Sequence, residues 1–134
     1  MAIKITNLEY YLDQTQNYPC VMKFTAKWCG PCRKLHPFFE KLAAEHSNKI
    51  GFYEIDLDEA KEISKYESVR GIPLVLFFHK GTMLKDLTLS GCNPDILYNN
   101  VITLSIKHLI QKFIYQNTIL LFDEKLSVFI RKPL

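Results

Sequence analysis

Cys29 and Cys32 are separated only by Gly30 and Pro31, inside the stretch FTAKWCGPCRKLHP that runs from Phe24 to Pro37. Three chemistries use such a pair: a structural staple, half of a metal site, or a reagent that makes and breaks its own sulfur–sulfur bond. At positions i and i+3 of a helix start, Cβ atoms lie roughly 5–6 Å apart, and a small adjustment reaches the ~3.5–4.5 Å of a disulfide. The pair can therefore open and close with little backbone movement. Cys29 would lie against the unpaired N–H groups of the helix start, where the macrodipole favours thiolate over thiol, which makes it the nucleophile. Pro31 suits the first helical turn because its missing N–H has no partner there, and Gly30 lets another chain come close. Pro37 removes one later ladder bond and is expected to bend the helix.

The elements that must hold this pair can be read around it. Ala2 to Ile5 is strand-like, and Thr6-Asn7-Leu8-Glu9 has the pattern of a capping box ahead of Leu8, Tyr11 and Leu12 at helical spacing. Tyr18-Pro19 interrupts the chain, and Cys20 to Ala26 reads as a strand ending just before the cysteines. Leu35, Phe38, Phe39, Leu42 and Ala43 form a helical stripe opposite Lys34, Glu40, Lys41 and Glu45. The pair thus sits where a strand hands over to a helix. Ile50 to Asp56 reads as a strand and Glu59 to Glu67 as a short helix; Leu74 to Phe78 is an apolar run suited to a central strand buried on both faces. Met83 to Ser90 is its expected hairpin partner, and a helix starts near Asn93-Pro94-Asp95. The order βαβαβαββα implies an α/β fold, one mixed sheet flanked by helices.

Trp28-Cys29-Gly30-Pro31-Cys32-Arg33, Pro37 and the later Arg70-Gly71-Ile72-Pro73 together resemble the thioredoxin family, over about residues 1–108. A bare CxxC is weak evidence; WCGPC between strand and helix, followed some forty residues later by GIP, is strong. The resemblance implies a thioredoxin-like domain over 1–108 that reduces disulfides in other proteins. Cys29 attacks a substrate disulfide and Cys32 resolves the mixed disulfide, with no metal or organic cofactor. It further implies a cis Ile72-Pro73 peptide facing the cysteines, with flanking backbone that pairs with an extended substrate as an added strand. Trp28, Gly30, Pro31, Ile72, Pro73 and Gly91 would surround the sulfur as the substrate-binding surface. Taken alone, Pro73 reads as a strand-start proline and Trp28 as a core aromatic. The implied partners are disulfide-bearing protein substrates and a thioredoxin-reductase-type electron donor.

The pattern breaks at Lys23. Six positions before the first cysteine the family typically has a buried aspartate that helps move the proton of the resolving cysteine. A buried Lys23 is pushed towards a neutral amine that accepts a proton. A charged one within ~6 Å of a thiolate contributes roughly 2–3 kcal/mol at an effective dielectric of ~20. The third reading has Lys23 snorkelling to solvent and contributing nothing. Leu74 stands where the family often has threonine. Cys92, after Gly91, is either an extra thiol at the active surface or a small inert hydrophobe, and Cys20 reads as inert. His36 with Cys29 and Cys32 supplies three zinc-type side chains, but no fourth ligand has suitable spacing, so no metal site is expected.

The 134 residues carry a net charge of +3 from scattered lysines, with 48% apolar and 23% charged residues. No basic stripe interleaved with aromatics suggests nucleic acid, and no apolar run approaches a membrane span. With only one cysteine pair at motif spacing, the expected setting is a reducing compartment, the cytoplasm, without a secretory leader. Residues 109–134 form a C-terminal extension beyond the domain. Ile102, Ile106, Leu109 and Phe113 carry a helix to about Gln116, and Thr118 to Phe122 with Leu126 to Ile130 are expected to form a hairpin. So apolar a tail should pack on its own domain or build a homodimer. The rival functional readings are a disulfide oxidase or isomerase, and a non-catalytic binding module in which the cysteines are incidental.

Overall fold

A computed structural model describes residues 1–131, with side chains to residue 124. Its sheet has the order β1-β3-β2-β4-β5, formed by β1 (Ile3–Lys4), β3 (Gly51–Asp56), β2 (Cys20–Thr25), β4 (Leu74–His79) and β5 (Thr82–Met83), with β6 (Leu89–Ser90) also pairing with β4. β1, β3 and β2 run parallel, and β4 is antiparallel to β2. β4 is interior as its sequence required, but the middle place belongs to β2, which is buried throughout.

Strand alternation divides the core into two layers. On one face Val21, Phe52, Val75 and Phe77 pack with Leu35, Phe39 and Leu42 of α2 (Gly30–His46) and with Leu97, Val101 and Leu104 of α4 (Pro94–Arg131). On the other, Met22, Phe24, Ile55 and Leu76 pack with Tyr11 of α1 (Leu8–Asn17) and Ile63 of α3 (Lys61–Tyr66). The two-residue period puts Lys23 on the α2 face, and the register Lys23↔Glu54 sets Glu54 beside it there. Phe38, expected on the apolar stripe of α2, is instead 48% exposed.

Three local expectations are corrected. The cap of α1 is Asn7, whose Oδ1 accepts from Tyr10 N at 2.9 Å, rather than a Thr6 capping box. Met83 to Ser90 is not one strand: a 3-10 turn at Lys85–Leu87 separates β5 from β6. Strand alternation would turn Leu84 and Leu87 to opposite faces, whereas the three-residue period of the turn lets both pack on the α2–α4 core. The expected hairpin at Thr118 to Phe122 and Leu126 to Ile130 is absent, because α4 continues to Arg131 as one helix of 38 residues. Between Pro94 and Arg131 there is no glycine or proline to end it, and Asp123-Glu124-Lys125 lacks hairpin turn chemistry. A continued helix satisfies its own backbone, which a lone hairpin in water does only marginally. Leu109, Phe113, Leu120 and Phe122 are all at least 58% exposed, so the expected packing of the tail on its own domain is not found among the described residues.

Candidate active site

β2 ends at Thr25, and a short loop leads to Cys29, the N-cap of α2. Cys29 has extended backbone (φ −87°, ψ 111°), and its Sγ accepts from Cys32 N at 3.3 Å. Two bonds fix the loop: Cys29 N donates to Ala26 O at 3.2 Å, and Arg33 Nη1 donates to Lys27 O at 2.8 Å. Pro31 occupies the first helical turn, and that turn holds no acidic residue to oppose a thiolate at Cys29. Cys29 and Cys32 are joined as a disulfide with Cα atoms 5.3 Å apart, both buried against Ala26 and Ile72. Cys29 retains 5% exposure and Cys32 1%, so the first cysteine is the less buried of the two. Pro37 lies farther along the same helix.

The Ile72-Pro73 peptide is cis. Ile72 O lies 3.9 Å from Cys29 Sγ, a contact rather than a hydrogen bond because a disulfide sulfur carries no hydrogen. Pro73 is buried, and its carbonyl accepts from Gly91 N at 2.9 Å. Gly91 has φ +91°, a left-handed conformation that favours glycine. Trp28 is 67% exposed, not a core aromatic, and its Nε1 donates to Asp58 Oδ2 at 3.0 Å. Gly30 and Pro31 complete the open rim. The sequence reasoning missed Asp58, although the acidic turn after β3 was its available signal.

Lys23 does not snorkel. Its side chain is 0% exposed, with Nζ 3.0 Å from His36 Nδ1, 3.4 Å from Glu54 Oε1 and 4.7 Å from the centre of the Phe39 ring. Desolvation lowers its pKa from the ordinary lysine value, and the Glu54 carboxylate pulls the other way. His36 Nδ1 also lies 3.8 Å from Glu54 Oε1, so this imidazole is turned to the Lys23–Glu54 pair. Beside them is a cavity of about 300 Å³ lined by Thr25, Cys32, His36, Glu54 and Asp56 among others. It brings the buried Cys32 into one solvent-reached space with Glu54 and His36. Glu54 was not singled out from sequence; the signal was a charged residue at the same offset in two apolar runs that pair in parallel.

Cys20 and Cys92 are free thiols. Cys20 is buried and its pKa is pushed up to about 12 by desolvation, which leaves it unreactive. Cys92 is exposed, next to Gly91. Leu74 opens β4 and pairs with Ser90.

The thioredoxin family model matches residues 2–103. A thioredoxin of Borreliella burgdorferi is 44% identical over 88 residues, covering 58% of this chain and 75% of that protein. The thioredoxin of Homo sapiens is 35% identical over 92 residues, covering 69% of this chain and 85% of its own. Among solved structures, Malassezia sympodialis thioredoxin matches with a TM-score of 0.73 at 30% identity, over 78% of this chain and 91% of that one. Oxidised thioredoxin of Plasmodium falciparum matches with a TM-score of 0.68 at 26% identity, over 77% and 97% of the two chains.

Proposed function

The chain belongs to the thioredoxin family and is a thiol–disulfide oxidoreductase, and from that premise we propose that Cys29 and Cys32 carry out its reduction of protein disulfides. The observation that carries this reading is the Cys29–Cys32 disulfide at the N-terminus of α2, with Cys29 as the cap. In the reduced state the Cys29 thiolate attacks one sulfur of a substrate disulfide and displaces the other as thiolate. Cys32 then attacks Cys29 Sγ, the second substrate sulfur leaves, and the protein holds the disulfide. Exposed Trp28 and Pro31, with Gly30, Ile72, Pro73 and Gly91 around the sulfur, form the surface on which an extended substrate segment lies. Lys23 tunes the proton balance of the pair. A thioredoxin-reductase-type donor returns the electrons.

A cytoplasmic setting is supported by the free exposed thiol of Cys92, which survives best in a reducing compartment. No helix among the described residues is long and apolar enough to cross a membrane. The exposed apolar surface of α4 beyond residue 108 favours a homodimer through the extension. An antiparallel pairing of two such helices about Tyr115 sets Asp123 and Glu124 of one copy opposite Lys107 of the other.

Serine substitutions test the chemistry. Cys29→Ser should abolish reduction of a disulfide-bonded protein by dithiothreitol-charged enzyme. Cys32→Ser should stop turnover and accumulate a substrate adduct on Cys29, seen by mass and released by excess thiol. Turnover retained in either variant would reject the assignment. A reduction potential below the glutathione couple is expected; one well above it would favour the oxidase or isomerase reading.

A further inference from the structure

Resolution of the mixed disulfide requires the Cys32 thiol to lose a proton inside the protein, at a residue only 1% exposed. The position where the family keeps a carboxylate for this is Lys23, whose Nζ is engaged by Glu54 at 3.4 Å and His36 at 3.0 Å; as the ammonium that pairs with the Glu54 carboxylate it has no lone pair to accept a proton. We propose that Glu54, on the neighbouring strand, is the proton carrier for Cys32, and that Lys23 and His36 act as positioning residues that hold its carboxylate in place. The proposal rests on the assignment of Cys32 as the resolving thiol.

The placement follows from the strands. Lys23 and Glu54 are register partners of β2 and β3 and share the face covered by α2. Lys23 Nζ at 3.4 Å tethers Oε1 of Glu54, and the same Nζ is held by His36 Nδ1 at 3.0 Å. Lys23 itself is sealed from solvent, whereas the Glu54 side chain is 17% exposed and lines the cavity that Cys32 also lines. At about 300 Å³ that cavity has room for several waters, so a bridging water can link the Cys32 thiol to the carboxylate.

The other charged groups around the cavity are less suited. Asp56 Oδ1 already accepts from Asp58 N at 2.8 Å and Glu59 N at 3.3 Å. Glu59 pairs with Lys27 at 3.5 Å, both on the exposed rim. Arg33 is committed to the Lys27 carbonyl, and Lys4 of β1 is a cation. Glu40 of α2 accepts from Ala2 N at 3.3 Å. Glu54 is the cavity carboxylate paired directly with a buried amine.

The step balances. As Cys32 Sγ bonds to Cys29 Sγ, the thiol proton passes through water to Glu54. The bond from Cys29 to the substrate sulfur breaks with its electron pair on the leaving sulfur. Glu54 then returns the proton to that thiolate or to solvent. The oxidant is the substrate disulfide itself.

The test is single-turnover reaction of the fully reduced protein with 5,5′-dithiobis(2-nitrobenzoate), with Cys92→Ser in the wild-type reference and in every variant so that this exposed third thiol releases nothing; the first thionitrobenzoate then reports attack by Cys29 and the second reports resolution by Cys32. Wild type should release both. Glu54→Gln should slow the second release by about tenfold or more near neutral pH, the low end of general-base effects, and move its pH profile towards that of an unassisted thiol. Its first release should be little changed, and Glu54→Asp should recover part of the second. If Glu54→Gln does not fold, the double variant Lys23→Met, Glu54→Leu removes both charges with apolar side chains of similar volume and should show the same slow second phase. A second release within twofold of wild type, with an unmoved pH profile, would overturn the role of Glu54 alone. A wild type that releases only one equivalent would overturn the role of Cys32 and this proposal with it.

Discussion

At the residue scale, burial decides which ionisable groups matter. Cys20, Lys23 and His79 all lie inside, but Cys20 has no charge nearby and simply becomes inert, while Lys23 is compensated by Glu54. His79, 6% exposed on β4, stacks edge-on with His108 of α4 at 5.7 Å between ring centres. His79 Nε2 and His108 Nδ1 are buried without a hydrogen-bond partner. Desolvation first, then neighbouring charges that include Lys80, lower both pKa values from the ordinary 6.5. With folded pKa values depressed, their contribution to stability is fully present above the unfolded value and is lost as pH falls through the folded ones. The chain should therefore lose thermal stability between pH 7.5 and pH 5, and His79→Phe should lessen that drop by a few degrees in Tm. An equal drop in the variant would assign the acid loss to other groups.

At the scale of elements, the cysteine helix was legible because its start, its apolar stripe and Pro31 all point to the same boundary, and Gly30–His46 begins there. The cap of α1 was read one residue early. Both Thr6 and Asn7 are cap-type residues, and only the backbone decides which side chain meets the Tyr10 N–H. Asn7→Ala should cost about 1 kcal/mol, visible as a Tm lower by several degrees, with disulfide reduction unchanged because α1 lies on the sheet face away from α2. Thr6→Ala should have little effect. The β5–β6 segment was misread because Met83 to Ser90 has strand-like composition, while the positions of Leu84 and Leu87 require a turn.

For the whole molecule, the largest departure is α4, about 57 Å long at the helical rise, of which only the first part covers the sheet. The apolar surface that α4 leaves exposed from Leu109 to Phe122 is a reason for a second copy to cover it. Deletion of residues 109–134 should leave one chain per particle instead of two by light scattering, with reduction by the domain intact; the same number of chains before and after deletion would remove the extension as a dimer interface. The sequence by itself determined the cysteine pair, the strand-to-helix site and the family-like order of elements, because these depend on local spacing, capping and periodicity. The cis Ile72-Pro73 segment and the glycine at Gly91 were reached only through the resemblance to a family. What the tertiary structure alone decided was the pairing of Lys23 with Glu54 and His36 and the shared cavity at Cys32. Both depend on which residues of distant segments share a strand register, and local spacing carries no record of that.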